Sequence, residues 1–222
     1  AFDIAEKYRM VVCLLLDGFI GQMMEPVELP EFKPVRTTPP AWAIGSPDSK
    51  GQVVLTSINI DPPTQERFNV KMMTRWQEVE KNEVRYKGYF LDDAEYVVIG
   101  YGTAGRISLS AVRASREQGL KIGLVRPISL SPFPAKVVDE LADRVKGFLV
   151  VEMSNGQMLD DIISIVARRV PVEFYGRMGG MVPYPDEISK AIDSLVNGKH
   201  DVNIDARAEW LAGLRELVGT GE

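Results

Sequence analysis

The 222-residue chain has one cysteine, Cys13, and one histidine, His200. A single cysteine closes no intrachain disulfide, and it cannot supply the four thiolates that usually hold an iron–sulfur cluster. Set in an apolar run, it reads as a small core residue rather than a catalytic thiol. A lone histidine in a polar stretch near the end supports neither a Ser-His-Asp triad nor a histidine metal site. No metal site is therefore expected. Clustered basic residues are also missing. Lys and Arg number 26 against 31 Asp and Glu, for a net charge of −5. Neutralising a phosphate backbone needs concentrated positive charge, so nucleic acid is excluded as a partner. No apolar stretch is long enough to span a bilayer, and no signal-peptide pattern is visible. The expectation is a cytoplasmic protein with no membrane partner.

What is present is a series of buried-strand patterns separated by helical ones. The most informative is Tyr96-Val97-Val98-Ile99-Gly100-Tyr101-Gly102-Thr103-Ala104-Gly105. A β-branched apolar run ends in glycines, and a helical pattern over residues 106–118 follows, with Ile107, Ala111 and Ala114 on one face. Gly119 closes it before a second strand, Lys121-Ile122-Gly123-Leu124-Val125. This is one βαβ unit. Its turn matches Gly-x-Gly-x-x-Gly, the dinucleotide fingerprint. The fingerprint also needs an acidic residue at the end of the second strand to hold the ribose hydroxyls, but this strand ends Val125-Arg126-Pro127. Two readings stand. Gly100 to Gly105 serve an NADP-linked oxidoreductase, with an arginine for the 2′-phosphate. Alternatively, Gly100 and Gly102 only make the turn, and Gly105 only lets the helix approach the sheet.

Further along, Ser131 is a candidate N-cap with Pro132 in the first helical position. Val137, Val138, Leu141, Ala142 and Val145 form one stripe, and Gly147 is read as the stop. Phe148-Leu149-Val150-Val151-Glu152 is a strand, and Ser154-Asn155-Gly156-Gln157 is a turn into a helix of Leu159, Ile162, Ile163 and Val166. Val172-Glu173-Phe174-Tyr175 is the next strand. A glycine loop through Arg177 and a helix of Ile188, Ala191, Ile192, Leu195 and Val196 follow. Strands alternating with helices over short loops give an α/β fold, with a mostly parallel sheet covered on both faces.

Upstream, Phe2, Ile4, Ala5 and Tyr8 read as the last turns of a helix. Met10-Val11-Val12-Cys13-Leu14-Leu15-Leu16 reads as a strand buried on both faces, ending at Asp17-Gly18. Asp17 there either serves a site at the strand end or caps the following turn. Pro26, Pro30, Pro34, Pro39 and Pro40 mark an extended linker. Val53-Val54-Leu55-Thr56-Ser57-Ile58 is a short strand or hairpin arm, and Asp61-Pro62-Pro63-Thr64 opens a helix. Residues 65–86 are helical, with Phe68, Met72, Trp76 and Val79 on one face. Trp210, Leu211, Leu214, Leu217 and Val218 make the tail an amphipathic helix that must dock on something. A start at Ala1, in what reads as the middle of an element, suggests a fragment of a longer subunit.

Several of these stretches resemble a known family. Asp17-Gly18-Phe19-Ile20-Gly21-Gln22-Met23-Met24-Glu25-Pro26 is similar to the end of the pyrimidine-binding domain in the α subunit of 2-oxoacid:ferredoxin oxidoreductases. The stretches Ile99-Gly100-Tyr101-Gly102-Thr103, Val125-Arg126-Pro127-Ile128, Val150-Val151-Glu152-Met153 and Phe174-Tyr175-Gly176-Arg177-Met178-Gly179-Gly180 resemble the domain that follows it. The resemblance covers roughly residues 1–195. The Gly-Gln-Met-Met-Glu-Pro and Gly-Arg-Met-Gly-Gly forms lean towards the branched-chain (2-oxoisovalerate, or 3-methyl-2-oxobutanoate) enzymes over the 2-oxoglutarate ones.

The resemblance implies oxidative decarboxylation of a 2-oxo acid on thiamine diphosphate. Electrons pass through [4Fe-4S] clusters to ferredoxin, and the acyl group leaves on coenzyme A. It implies β and γ partner subunits that carry the diphosphate end of the cofactor and the clusters. The catalytic glutamate of the pyrimidine side lies upstream of this sequence, so no catalytic residue is expected here and the chain alone should be inactive. The implied domains are a pyrimidine-domain remnant at 1–25, a linker at 26–63, a linking helix at 64–90, a transketolase C-terminal-like domain at 91–198 and a tail at 199–222. Residues expected near substrate or cofactor are Asp17, Gln22, Tyr101, Gly102, Thr103, Asn155, Gly156, Gln157 and Arg177. Thr103 and its neighbours offer amides at a helix N-terminus to an anion such as a coenzyme A phosphate, and Arg177 pairs with a carboxylate or phosphate. A different class also stands: a docking module whose apolar tail and Met/Trp helix bind partner subunits and no ligand.

Overall fold

The computed structural model describes residues 1–35, 37–48, 56, 58–198 and 200–219. The chain divides into two compact units. Residues 23–78 make the smaller one. Its first part is extended, with turns closed by the Ala43 and Ser46 amides on the Pro40 and Ala43 carbonyls. It then enters helix α3 (Pro62–Glu83), whose last residues belong to the larger unit. Asp61 caps α3 by accepting from the Thr64 amide at 3.1 Å and the Thr64 hydroxyl at 2.6 Å. Phe68, Met72, Trp76 and Val79 share its less exposed face, as their spacing predicts. Most of the expected strand at 53–58 lies outside the described residues.

The larger unit holds residues 1–22 and 79–222. Its centre is a five-stranded sheet of order β1-β3-β2-β4-β5. The strands are β1 (Tyr86–Tyr89), β2 (Tyr96–Gly100), β3 (Ile122–Pro127), β4 (Gly147–Glu152) and β5 (Val172–Gly176). Pairs β2–β3, β2–β4 and β4–β5 are parallel, whereas β1 lies antiparallel on the outer edge of β3. Strands β2 and β4 are almost wholly buried, which is why they read as continuous apolar runs.

Alternate residues face opposite layers. Val97, Ile99, Phe148 and Val150 pack against α5 (Ala135–Ala142), α6 (Gln157–Val166) and the tail helix α8 (Ala206–Val218). Val98, Leu124, Leu149 and Val151 pack against α4 (Gly102–Glu117) and α7 (Pro185–Asn197). This distribution is what right-handed crossovers require. The chain leaves β2 towards β3 in one direction and leaves β3 towards β4 in the other, so α4 and α5 fall on opposite faces.

Several expectations are corrected. Residues 10–16 form no strand. Val11 is 90% exposed and Leu14 75%, and Cys13 is exposed rather than a core residue. A strand needs a neighbour to pair with, and the sheet's edges are β1 and β5, neither of which meets this segment. The preceding helix is present as α1 (Phe2–Tyr8). Residues 84–86 are not helical: α3 ends at Glu83, and β1 follows. Helix α5 begins at Ala135 with Pro134 as its N-cap. Pro134 keeps the residue before it out of helical geometry, so neither Ser131 nor Pro132 starts the helix. Gly147 is not a helix stop. It opens β4, where a Cβ would approach the Pro171 carbonyl to 3.3 Å and a Leu195 methyl to 3.1 Å.

Candidate functional site

Strand order reverses between β2 and β4. The chain leaves β2 on one side and returns on the other, so the carboxyl ends of these two strands face a crevice where open α/β sheets place their sites. Two of the turns singled out in the sequence flank it: Tyr101, Gly102 and Thr103 after β2, and Asn155, Gly156 and Gln157 after β4.

The first turn is closed by steric demands. Gly102 has φ +55°, a conformation that disfavours a side chain. A Cβ on Gly105 would stand 2.3 Å from the Gly100 carbonyl oxygen and 2.8 Å from its carbon. One on Gly100 would stand 3.2 Å from the Gly105 Cα and 3.3 Å from the Val151 oxygen. The glycines thus bring the start of α4 into van der Waals contact with β2.

Helix α4 also carries a resident anion. Asp17 Oδ1 accepts the Ile20 amide at 2.8 Å and caps the short helix α2 (Gly18–Gln22), while Oδ2 accepts the Thr103 amide at 3.3 Å. Partial burial opposes ionisation of Asp17. Hydrogen bonds from Ile20 and Thr103 outweigh it and hold the carboxyl below its usual range. The Thr103 hydroxyl is buried and has no aligned partner. Tyr101 is half-buried, and burial, followed by the charges of Glu152 and Asp17, raises its phenol.

The second turn is built the same way around a residue that sequence reasoning missed. Glu152 ends β4 and is fully buried. Its carboxylate accepts the Ser154 hydroxyl at 2.8 Å, the Met158 amide at 3.2 Å and the Leu159 amide at 2.9 Å. The signal was an acid closing an otherwise apolar strand five residues before a helix, which is a carboxylate aimed at that helix's N-terminus. Gly156, at φ +101°, is the α6 N-cap. Arg207, far away in sequence on α8, was also missed. Its Nε donates to the Asn155 oxygen and its Nη2 to the Gly156 oxygen, both at 2.7 Å, and Nη2 pairs with Asp160 at 2.7 Å.

Of the remaining expected residues, one stays at the surface and one meets the end of β4, where the Arg177 amide donates to the Glu152 oxygen at 3.2 Å. Gln22 is exposed at the end of α2. Arg177 follows β5, is buried, and pairs with Glu187 of the α7 capping box at 3.5 Å. Burial and the same Glu187 push the neighbouring Tyr175 phenol up to about 12. Among the described residues, no cluster of three or more His, Cys, Asp or Glu has metal-holding geometry, and no helix is long and apolar enough to cross a membrane.

Residues 94–188, which contain the sheet from β2 to β5 and both turns, match the family model described as pyruvate:ferredoxin oxidoreductase core domain II. They are similar to that domain. Around it, the chain is 42% identical over 180 residues to the ketoisovalerate oxidoreductase subunit VorB of Methanothermobacter thermautotrophicus, covering 81% of this chain and 51% of that protein. The Methanothermobacter marburgensis VorB is 39% identical over 201 residues, 90% of this chain and 57% of that protein. The 2-oxoglutarate synthase subunit KorA of M. marburgensis is 28% identical over 218 residues, covering 86% and 58%. The chain therefore spans about half the length of the curated relatives it matches.

A solved 2-oxoglutarate:ferredoxin oxidoreductase from Magnetococcus marinus, with 2-oxoglutarate, coenzyme A and succinyl-CoA bound, shares the fold. The TM-score is 0.61 at 20% identity, over 69% of this chain and 28% of that one. The mostly parallel sheet with helices on both faces is thus a fold shared with that structure, in agreement with the α/β class expected from the sequence.

Proposed function

We propose that this chain is part of the α-type subunit of a 2-oxoacid:ferredoxin oxidoreductase that works on a branched-chain 2-oxo acid. The observation that carries this is the match to two ketoisovalerate oxidoreductase subunits at 42% and 39% identity, against 28% for a 2-oxoglutarate synthase subunit. The complete enzyme would be cytoplasmic. It would convert 3-methyl-2-oxobutanoate and coenzyme A to the acyl-CoA and CO2, passing electrons to ferredoxin through [4Fe-4S] clusters held by β and γ partners.

Thiamine diphosphate supplies an electron sink for decarboxylation in such chemistry. Its diphosphate does not fit the turns of this chain. The helix N-termini that would receive it already donate to Asp17 and Glu152, and a second anion there would face two like charges. The same argument disfavours an NADP pyrophosphate on residues 100–105. It also leaves the Thr103 amide unavailable to a coenzyme A phosphate while Asp17 is in place.

The division we favour gives residues 1–25 to the end of a pyrimidine-binding domain, 26–63 to a linker, 64–90 to a linking helix, 91–198 to the α/β domain and 199–222 to its tail. The domain's own work would be to pack and orient. The apolar run at 11–16, exposed in this chain, supports docking against further protein: Val11, Leu14, Leu15 and Leu16 are each at least 62% exposed. The isolated chain would then be inactive.

The test is co-expression with the sequence that completes the subunit and with its β and γ partners. The purified complex should reduce ferredoxin in the presence of 3-methyl-2-oxobutanoate and coenzyme A, with a kcat/KM at least about tenfold above that for 2-oxoglutarate, the lower end of the discrimination that one methylene-sized contact gives. Preference for 2-oxoglutarate would overturn the substrate assignment. A stable complex with no 2-oxo-acid-dependent reduction would overturn the function and leave the docking-module reading.

A further inference from the structure

We infer that α8 is a strap that positions the two loops after β4 and β5, with Arg207 holding one and Trp210 holding the other. The helix lies outside the matched core domain, which ends at residue 188. It is nevertheless built into the domain. Ala206 and Trp210 are buried in the layer formed by α5 and α6, with Leu211 and Leu214 packed beside them. The Trp210 ring meets Phe174 of β5 edge-to-face, with centroids 4.9 Å apart. The connection from α7 is tied down as well: His200 Nδ1 lies 2.6 Å from Glu173 Oε1 on β5, and its Nε2 lies 3.1 Å from the Ser194 oxygen.

From this anchored position two side chains reach the strand ends. Arg207 places three donor contacts on the β4–α6 turn, to Asn155 O, Gly156 O and Asp160 Oδ1. Two backbone carbonyls and a carboxylate at once are what a planar fork of donors can satisfy and a point charge cannot. The turn is shaped for it. A Cβ on Gly156 would stand 3.2 Å from both Arg207 Nε and Nη2, so the absence of a side chain there leaves room for the guanidinium. Trp210 Nε1 donates to the Gly176 oxygen at 2.9 Å in a buried position, fixing the point where β5 gives way to the Arg177 loop. The first of these loops borders the crevice between β2 and β4 directly. Docking of the tail is thereby coupled to the shape of that crevice, whatever occupies it.

Hydrogen exchange read by mass spectrometry on the full chain tests this. In Arg207→Ala, the amides of Met158, Leu159 and Asp160 should exchange about tenfold faster, the scale of one or two lost hydrogen bonds in a local opening. That of Met181, which donates to the Met178 oxygen within the Arg177 loop, should stay as in the parent. Trp210→Phe keeps most of the ring packing and removes the donor, so it should do the reverse. Arg207→Lys keeps the charge but not the fork and should leave the β4–α6 turn loosened.

A general stabilising role would move both loops together in either variant, and that outcome overturns the proposal. Unchanged exchange in Arg207→Ala, or full protection restored by Arg207→Lys, overturns it as well.

Discussion

Gly105→Ala should be the most damaging single-methyl addition in the β2–α4 turn, and the structure gives its size. The new Cβ would sit 2.3 Å from the Gly100 carbonyl oxygen, where ordinary contact begins near 3.4 Å. The obstructing atoms are backbone within the sheet, so no rotamer change relieves the clash. The first turn of α4 has to move by about 1 Å. That movement pulls Ala104, Ser108, Ala111 and Val112, all buried, away from the sheet. Overpacking of this kind costs about 3 kcal/mol at the upper end of its usual range. Replacing glycine by alanine in a helix returns up to about 1 kcal/mol. The net loss is about 2 kcal/mol, or roughly 4–8 °C in Tm for a chain of this size. Gly100→Ala meets its neighbours at 3.2–3.3 Å, which a few tenths of an ångström of adjustment relieves, so its cost should be about 1 kcal/mol. Urea unfolding followed by far-UV circular dichroism would measure both. Gly105→Ala within 0.5 kcal/mol of the parent (about the surface-substitution range), or less costly than Gly100→Ala, would refute the view that these glycines exist to close helix on strand.

Two further outcomes follow from the same structure. Glu152→Ala strips the Met158 and Leu159 amides of a buried acceptor and should cost about 2–4 kcal/mol in urea unfolding; a loss under about 1 kcal/mol, the net worth of one ordinary hydrogen bond, would mean water replaces the carboxylate without difficulty. At the other end of the domain, Glu83 accepts from Lys7, Arg85 and Tyr8, which together hold its carboxyl down at about 2. A depressed folded-state value makes this contribution complete above the ordinary carboxylate range and lost as pH falls through about 2. Amide exchange in α1 should therefore accelerate between the ordinary value of 4.5 and about 2. In Glu83→Gln that acid step should disappear.

The sequence made some of this architecture plain for physical reasons that also explain what it hid. Strands β2 and β4 are covered on both faces, so burial wrote itself into the chain as unbroken apolar runs, and β3 and β5 were readable by the same logic. Strand β1 pairs on one side only, is mostly exposed, and carries Tyr86, Lys87 and Gly88, a composition with no strand period. Residues 10–16 failed in the opposite sense. Their composition demands burial, and the described residues offer no neighbouring strand to satisfy it.

At the site, Gly100, Gly102 and Gly105 were legible because a glycine's requirement is local. Glu152 was visible only as a residue ending a strand. Its function as the acceptor for α6 depends on how the chain turns between residues 153 and 157. Arg207 could not have been found, since nothing in a helical tail announces which turn, some fifty positions earlier, its guanidinium will meet.

The helix N-termini at the switch point are closed by the chain's own carboxylates, which makes the Gly-x-Gly-x-x-Gly turn a packing device. Isothermal titration of the chain with NADP, and separately with coenzyme A, tests it most directly. The account predicts no saturable heat with either ligand for the parent protein. It also predicts no NADP binding gained or lost in Gly102→Val. Saturable NADP binding that Gly102→Val abolishes would contradict the account and restore the dinucleotide site.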